Sequence, residues 1–192
     1  MKGSEVLTSD PYNLIITGVG GQGNVLASRM VGEMLSHLGL YVTIGETFGA
    51  SQRGGSVMSH LRISAYSVFS PQIPRGRAHM VVSLEPTEAI RVLKIYGNPS
   101  VKVLANTRPI HPIGVICGDQ AYPDLQDLER WIRELSQKAW FIDSTAAALD
   151  LGNPTLANVV LVGALAAACV LPLQRRHFEA VLSRRMNPDG VA

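Results

Sequence analysis

Gly18-Val19-Gly20-Gly21-Gln22-Gly23 and, one helix and one strand further on, Gly45-Glu46-Thr47-Phe48-Gly49-Ala50-Ser51-Gln52-Arg53-Gly54-Gly55-Ser56 are the stretches whose reading decides the fold. The first follows an apolar run, Leu14-Ile15-Ile16. It opens a segment with apolar residues at Val25, Leu26, Met30, Val31, Met34, Leu35 and Leu38. That spacing is helical, so the stretch reads as strand, tight turn, helix. Glycine enters backbone conformations closed to other residues and lets a ligand or a second chain approach the main chain closely. Two such loops at one sheet edge predict a docking surface. Gly18, Gly20, Gly21, Gln22 and Gly23 stand on one side of it, and Ser51, Gln52, Arg53, Gly54 and Gly55 on the other.

Outward from these loops, strands and helices alternate. Residues 40–46 read as a second strand ending in Glu46, and residues 57–64 as an extended run. Residues 79–84 read as a strand followed by Glu85-Pro86 and a helix to about Tyr96. A strand at 101–105 leads to a loop holding Pro109 and Pro112. Residues 123–138 place Leu125, Leu128, Ile132 and Leu135 on one helical face, with Asp124 and Asp127 early and Lys138 late, as the helix dipole favours. Residues 140–143 read as a strand, and two or three helices finish the chain, the last over 173–186. This order predicts an α/β fold: a doubly wound, mostly parallel sheet with helices on both faces and a Rossmann-like first βα unit. Ligands of such sheets gather at the carboxyl ends of the strands. The first glycine turn, Glu46 to Gly55, Glu85, Asn106 to Pro109 and Asp143 all follow strands and converge on that edge.

With 192 residues, 46% of them hydrophobic and 17% charged, the chain buries a sizeable core and is not of disordered composition. No repeat or low-complexity linker divides it, so residues 1–192 read as one domain, with 1–12 as an N-terminal extension. A net charge of +2 gives no argument for nucleic acid. The first ten residues lack the apolar core of a signal peptide. Residues 156–171 are uncharged and alanine-rich but shorter than a membrane span, which takes about 20 residues. They predict a helix buried inside the protein and partly against another subunit, in a cytoplasmic protein with no membrane association. Cys117 and Cys169 read as free thiols in apolar surroundings, Cys169 within that helix, and the five histidines show no metal-ligand spacing.

A glycine turn alone is weak evidence for a ligand, because a sharp strand-to-helix corner calls for glycine anyway. The unpaired amides around Gly20 to Gly23 nevertheless favour an anion, and Glu46 stands where the ribose-binding acid of a dinucleotide site would end the second strand. A free-standing nicotinamide- or flavin-binding protein is therefore one reading. Ser51, Ser56, His60, Glu46 and Asp143 show no spacing of a nucleophile with its base, so no self-sufficient active site is evident. The hydroxyls of Ser51 and Ser56 read as satisfying nearby backbone groups, and His60 as a packed strand residue.

The second loop favours another reading. Ser51-Gln52-Arg53-Gly54-Gly55 directly after a strand is foreign to nucleotide-binding domains. With the first glycine turn, Ser59-His60-Leu61-Arg62-Ile63 and Ser70-Pro71-Gln72-Ile73-Pro74, it closely resembles the gamma-type subunit or domain of the 2-oxoacid:ferredoxin oxidoreductases. Asn106-Thr107-Arg108-Pro109-Ile110 and Gly152-Asn153-Pro154 are most similar to the small beta-type subunits of the indolepyruvate branch. The resemblance covers residues 14–172. It implies a non-cluster subunit of an enzyme that oxidatively decarboxylates a 2-oxoacid to an acyl-CoA. Thiamine diphosphate and [4Fe-4S] clusters are expected in a large alpha-type partner, CoA is the co-substrate, and ferredoxin accepts electrons through the complex. No cofactor is expected on this chain alone. Arg53 would then meet a CoA phosphate, a substrate carboxylate or a partner carboxylate, or else brace its own loop. Gln22 would present an amide to partner or ligand, and Glu46 and Asn106 would lie among the contacts.

Overall fold

The computed structural model describes residues 7–49 and 55–185. Strand β1 (Tyr12–Val19) is buried along its whole length because it lies inside a six-stranded sheet of order β2-β3-β1-β4-β5-β6. Strands β4 (Met80–Ser83), β5 (Lys102–Asn106) and β6 (Lys138–Ile142) follow β1 in parallel, with one helical crossover from β4 to β5 and another from β5 to β6. Strand β3 (Ser56–Ser64) instead inserts antiparallel between β1 and β2 (Tyr41–Phe48). The sheet is therefore mostly parallel, as expected, and β3 alone runs against the rest. Residues 49–55 are the whole connection from β2 to β3, and a parallel return needs a crossover of about a dozen residues or more.

Alternation along β1 sends Leu14 and Ile16 to one face and Ile15 to the other. On the first face lie α1 (Asn24–His37), α6 (Ala157–Ala167) and α7 (Arg175–Arg185), with Met30, Val31, Met34, Leu161 and Leu165 in the core. Helix α1 crosses β2 closely: a Cβ on Gly32 would stand 2.8 Å from Ile44 Cδ1. The second face carries α2 (Pro86–Tyr96) and α4 (Leu125–Glu134). Both are started by acidic caps, Glu85 and Asp124, and α2 also by Pro86 in its first turn. Where no helix covers β2 and β3 on that face, the proline-rich segment 65–79 does so, with Pro71 against Gly45 and Ile73 buried.

Three local expectations are corrected. The helix expected over 123–138 ends at Glu134, so Lys138 opens β6 rather than closing a helix. The apolar helix of residues 156–171 is helical only from Ala157 to Ala167. Cys169 follows it in the left-handed conformation (φ 54°), as helix ends often do, and is exposed, as is Cys117 at the end of a short turn, α3 (Ile113–Ile116). No helix among the described residues is long and apolar enough to cross a membrane.

Two histidines tie the covering segments down as neutral acceptors. His60 Nδ1 accepts the Ile73 amide at 3.3 Å, and His79 Nδ1 accepts the Asn13 amide at 2.9 Å. Burial lowers the pKa of both, with Arg77 adding to the effect at His79. The folded state thus takes up these protons later than the unfolded chain. The stability they contribute is complete above the ordinary histidine pKa of about 6.5 and is lost as pH falls from there through the folded values. Glu88, raised chiefly by burial, acts in the opposite sense. Thermal melts of wild type and of His60→Gln/His79→Gln isolate the histidine part. We expect the Tm of the wild type to fall more than that of the double variant between pH 7 and pH 5; equal slopes would show that neither imidazole is held neutral.

Candidate functional site at the carboxyl edge of the sheet

The turn after β1 is shaped by contacts that only glycine permits. A Cβ on Gly18 would stand 2.6 Å from Gln22 Oε1 and 2.9 Å from Leu84 Cβ. Gly23, the N-cap of α1, has φ +80°, and a Cβ there would overlap the Asn158 amide. Gly21, also at positive φ (+103°), faces open space. The Gly20 amide donates to the Gly55 carbonyl at 2.8 Å, and the Gly49 amide to the Ser56 carbonyl at 2.8 Å. The two glycine loops therefore meet main chain to main chain, as their order on one sheet edge requires. Ser51, Gln52, Arg53 and Gly54 lie outside the described residues.

Gln22 does not present a free amide, which corrects the role expected of it. Its Oε1 accepts the Val19 amide at 2.7 Å and its Nε2 donates to the Leu84 carbonyl at 2.8 Å, so the side chain staples the turn to the end of β4. Asn106 is a second brace. Its Nδ2 donates to the Leu84 carbonyl at 3.1 Å and to Thr145 Oγ1 at 3.2 Å, while its Oδ1 accepts the Ser144 amide at 3.0 Å. It thereby joins β4, β5 and α5 (Ser144–Asp150). Glu46 is partly exposed on β2, opposite Ser59 of β3. Because β3 separates β2 from β1, Glu46 stands two strands, about 10 Å, from the strand that feeds the glycine turn. A ribose-binding acid ends the strand beside the first one, so that expectation fails on topology.

Two carboxylates organise the edge. Glu85 is fully buried and caps α2 by accepting the Glu88 amide at 3.0 Å and the Thr87 hydroxyl at 2.6 Å. Its other oxygen accepts the Tyr122 hydroxyl and, at 3.5 Å, the Ile110 amide. Burial first, and the bond to Glu85 second, hold the Tyr122 phenol far above its ordinary range, so it remains the donor. Glu85 thus fixes the 107–124 segment against the sheet. Ser56 donates to Glu88 Oε2 at 2.5 Å rather than to a backbone group, which ties the second glycine loop to α2.

Between these braces opens a cleft of about 330 Å³. Gly21 and Gln22, Leu84, the Arg108-Pro109-Ile110 segment, Thr145 and the 154–157 turn form its walls, and Arg108 is the cation among them. Its far walls were not singled out as site residues in the sequence, although Asn106-Thr107-Arg108-Pro109-Ile110 and Gly152-Asn153-Pro154 carried part of the resemblance. What hides them is separation along the chain: residues 22, 84, 108 and 155 meet only once β1, β4 and β5 are paired.

Residues 13–192 match the model of the pyruvate ferredoxin/flavodoxin oxidoreductase family. An indolepyruvate oxidoreductase subunit, IorB, of Pyrococcus horikoshii is 36% identical over 181 residues, spanning 94% of this chain and 89% of its own length. The subunit of the same description from Thermococcus kodakarensis is 35% identical, with the same coverage. Among solved structures, the pyruvate oxidoreductase subunit PORC of Thermotoga maritima superposes with a TM-score of 0.68 at 19% identity, over 95% of this chain and 89% of that one. These similarities agree with the resemblance carried by the glycine loops. With its family model matched from residue 13 to the last, this chain belongs to the pyruvate ferredoxin/flavodoxin oxidoreductase family.

Proposed function

We propose that this chain is the cluster-free subunit of a thiamine-diphosphate-dependent 2-oxoacid:ferredoxin oxidoreductase, acting in the oxidative decarboxylation of indolepyruvate or a related arylpyruvate. The observation that carries the proposal is a family match along nearly the whole length of a chain with only two cysteines, where a [4Fe-4S] cluster takes four thiolates. The cofactors then reside in a large partner subunit, CoA enters as co-substrate and ferredoxin receives the electrons. The arylpyruvate substrate rests on the names of the relatives. The nicotinamide or flavin alternative loses its support with the displacement of Glu46.

In this function the edge where the two glycine loops meet contacts the partner or an anionic ligand. Gly20 and Gly55 bring the loops together, and Arg53 supplies the charge. Its guanidinium offers five donors in a fixed fork suited to a phosphate or carboxylate. Arg53→Ala in the assembled enzyme tests this. The free subunit should keep its Tm within a few degrees, a change of about 0.5 kcal/mol, because the guanidinium is assigned to the partner or ligand and not to its own fold. Association with the large subunit, or the KM for CoA or oxoacid, should worsen about tenfold, which corresponds to about 1.4 kcal/mol. Normal assembly and turnover would reduce Arg53 to a brace of its own loop.

A further inference from the structure

Helix α6 is apolar on every side: Asn158 is its one polar side chain, and it holds no charge. A helix of that composition belongs in a fully enclosed setting. Within this chain one side is enclosed, by Leu161, Val162, Leu165 and Ala166 in the core, while Ala164 is partly exposed and Ala167 exposed. Open troughs flank that outer side. One, of about 470 Å³, lies toward α7 between Gly163 and Phe178. The other, of about 280 Å³, lies toward β6 between Ala164 and Trp140. Ala167 borders both and is the ridge between them.

Strand β6 extends the same surface. It is an edge strand with one side of its backbone unpaired in the sheet, and half-buried Trp140 and Ile142 face the trough. On that face Lys102 and Lys138 are register partners on adjacent strands, an arrangement in which like charges repel. Neither forms an ion pair among the described residues. The Lys138 ammonium lies 4.7 Å from the centre of the Trp140 ring. The carboxylate bordering the trough toward α7, Glu179, is already 2.6 Å from Arg175. A second copy of this chain would bring the same patch against itself, adding lysines and no free carboxylate from the trough walls.

We propose that the α6 ridge, its two troughs and the β6 edge seat an apolar helix of the cofactor-bearing partner subunit, whose acidic side chains meet Lys102 and Lys138. This deepens the subunit function proposed above and rests on it. The troughs share no lining residue with the cleft at the glycine turn, so they define a contact separate from the one assigned to Arg53.

Sedimentation of the purified chain with its thiamine- and cluster-bearing large subunit tests the proposal, using Ala167→Arg and, separately, Lys102→Glu/Lys138→Glu. Both alter exposed or partly exposed positions, so circular dichroism and the Tm of the free chain should stay near wild type. Affinity for the large subunit should fall about a hundredfold for Ala167→Arg and at least about tenfold for the lysine pair. If wild type and both variants assemble equally and support equal turnover, the subunit function stands and this surface is not its interface. If wild type neither binds the large subunit nor supports turnover, the subunit function itself fails. A free chain that sediments as a dimer, dissociated by Ala167→Arg, would make a second copy the occupant and overturn the proposal.

Discussion

Gly23→Ala should lower the Tm by about 10 °C, the largest effect expected of any single methyl group added at the site. Two costs combine. A residue with a Cβ held at φ +80° loses about 1–2 kcal/mol relative to glycine. The same Cβ overlaps the amide of Asn158, which is buried and donates to the Gly23 carbonyl at 3.3 Å. Displacing that amide leaves buried polar groups without partners, worth about 1–3 kcal/mol more. Together these give about 2–5 kcal/mol, and a domain of this size shifts by about 2–4 °C per kcal/mol. Gly21→Ala is the internal control: it also sits at positive φ but meets nothing within 4 Å, so it should incur the backbone cost alone. Differential scanning calorimetry of the two variants separates the contributions. Equal losses would mean that Asn158 does not hold the α1 corner to α6.

The pairing of Gly23 with Asn158 also shows where sequence reasoning stops. The strand, turn and helix around residues 14–38 are legible because glycine spacing and helical periodicity are local signals, and β1, α1 and the next two strands lie where they indicate. Likewise the cap and proline at Glu85-Pro86 mark the start of α2. What escapes is decided by neighbours far along the chain. The antiparallel placement of β3 follows from the shortness of the 49–55 connection, a cue present in the sequence, but its insertion between β1 and β2 is not. That insertion places Glu46 two strands away from the strand that feeds the glycine turn. Gln22 looks like an offered amide until Leu84 is placed beside it, and Asn106 looks like a contact until Ser144 and Thr145 surround it. Cys169 misleads for a different reason: the alanine run continues past Ala167, whereas the backbone turns left-handed before Pro172. The convergence of Gly20 with Gly55, by contrast, follows directly from both loops ending strands at one edge.

Reconstitution from separately purified subunits tests the central claim most directly. The isolated chain should be colourless and should oxidise no 2-oxoacid, because two cysteines cannot hold a [4Fe-4S] cluster in the usual manner and the sequence shows no spacing of a nucleophile with its base. Adding it to the large subunit, to which we assign the thiamine diphosphate and clusters, should raise CoA- and indolepyruvate-dependent ferredoxin reduction about a hundredfold or more, a barrier change of roughly 2.7 kcal/mol. The rise should saturate at a fixed subunit ratio. Full turnover by the large subunit without this chain, or a visible cluster spectrum and oxoacid oxidation from this chain alone, would contradict it.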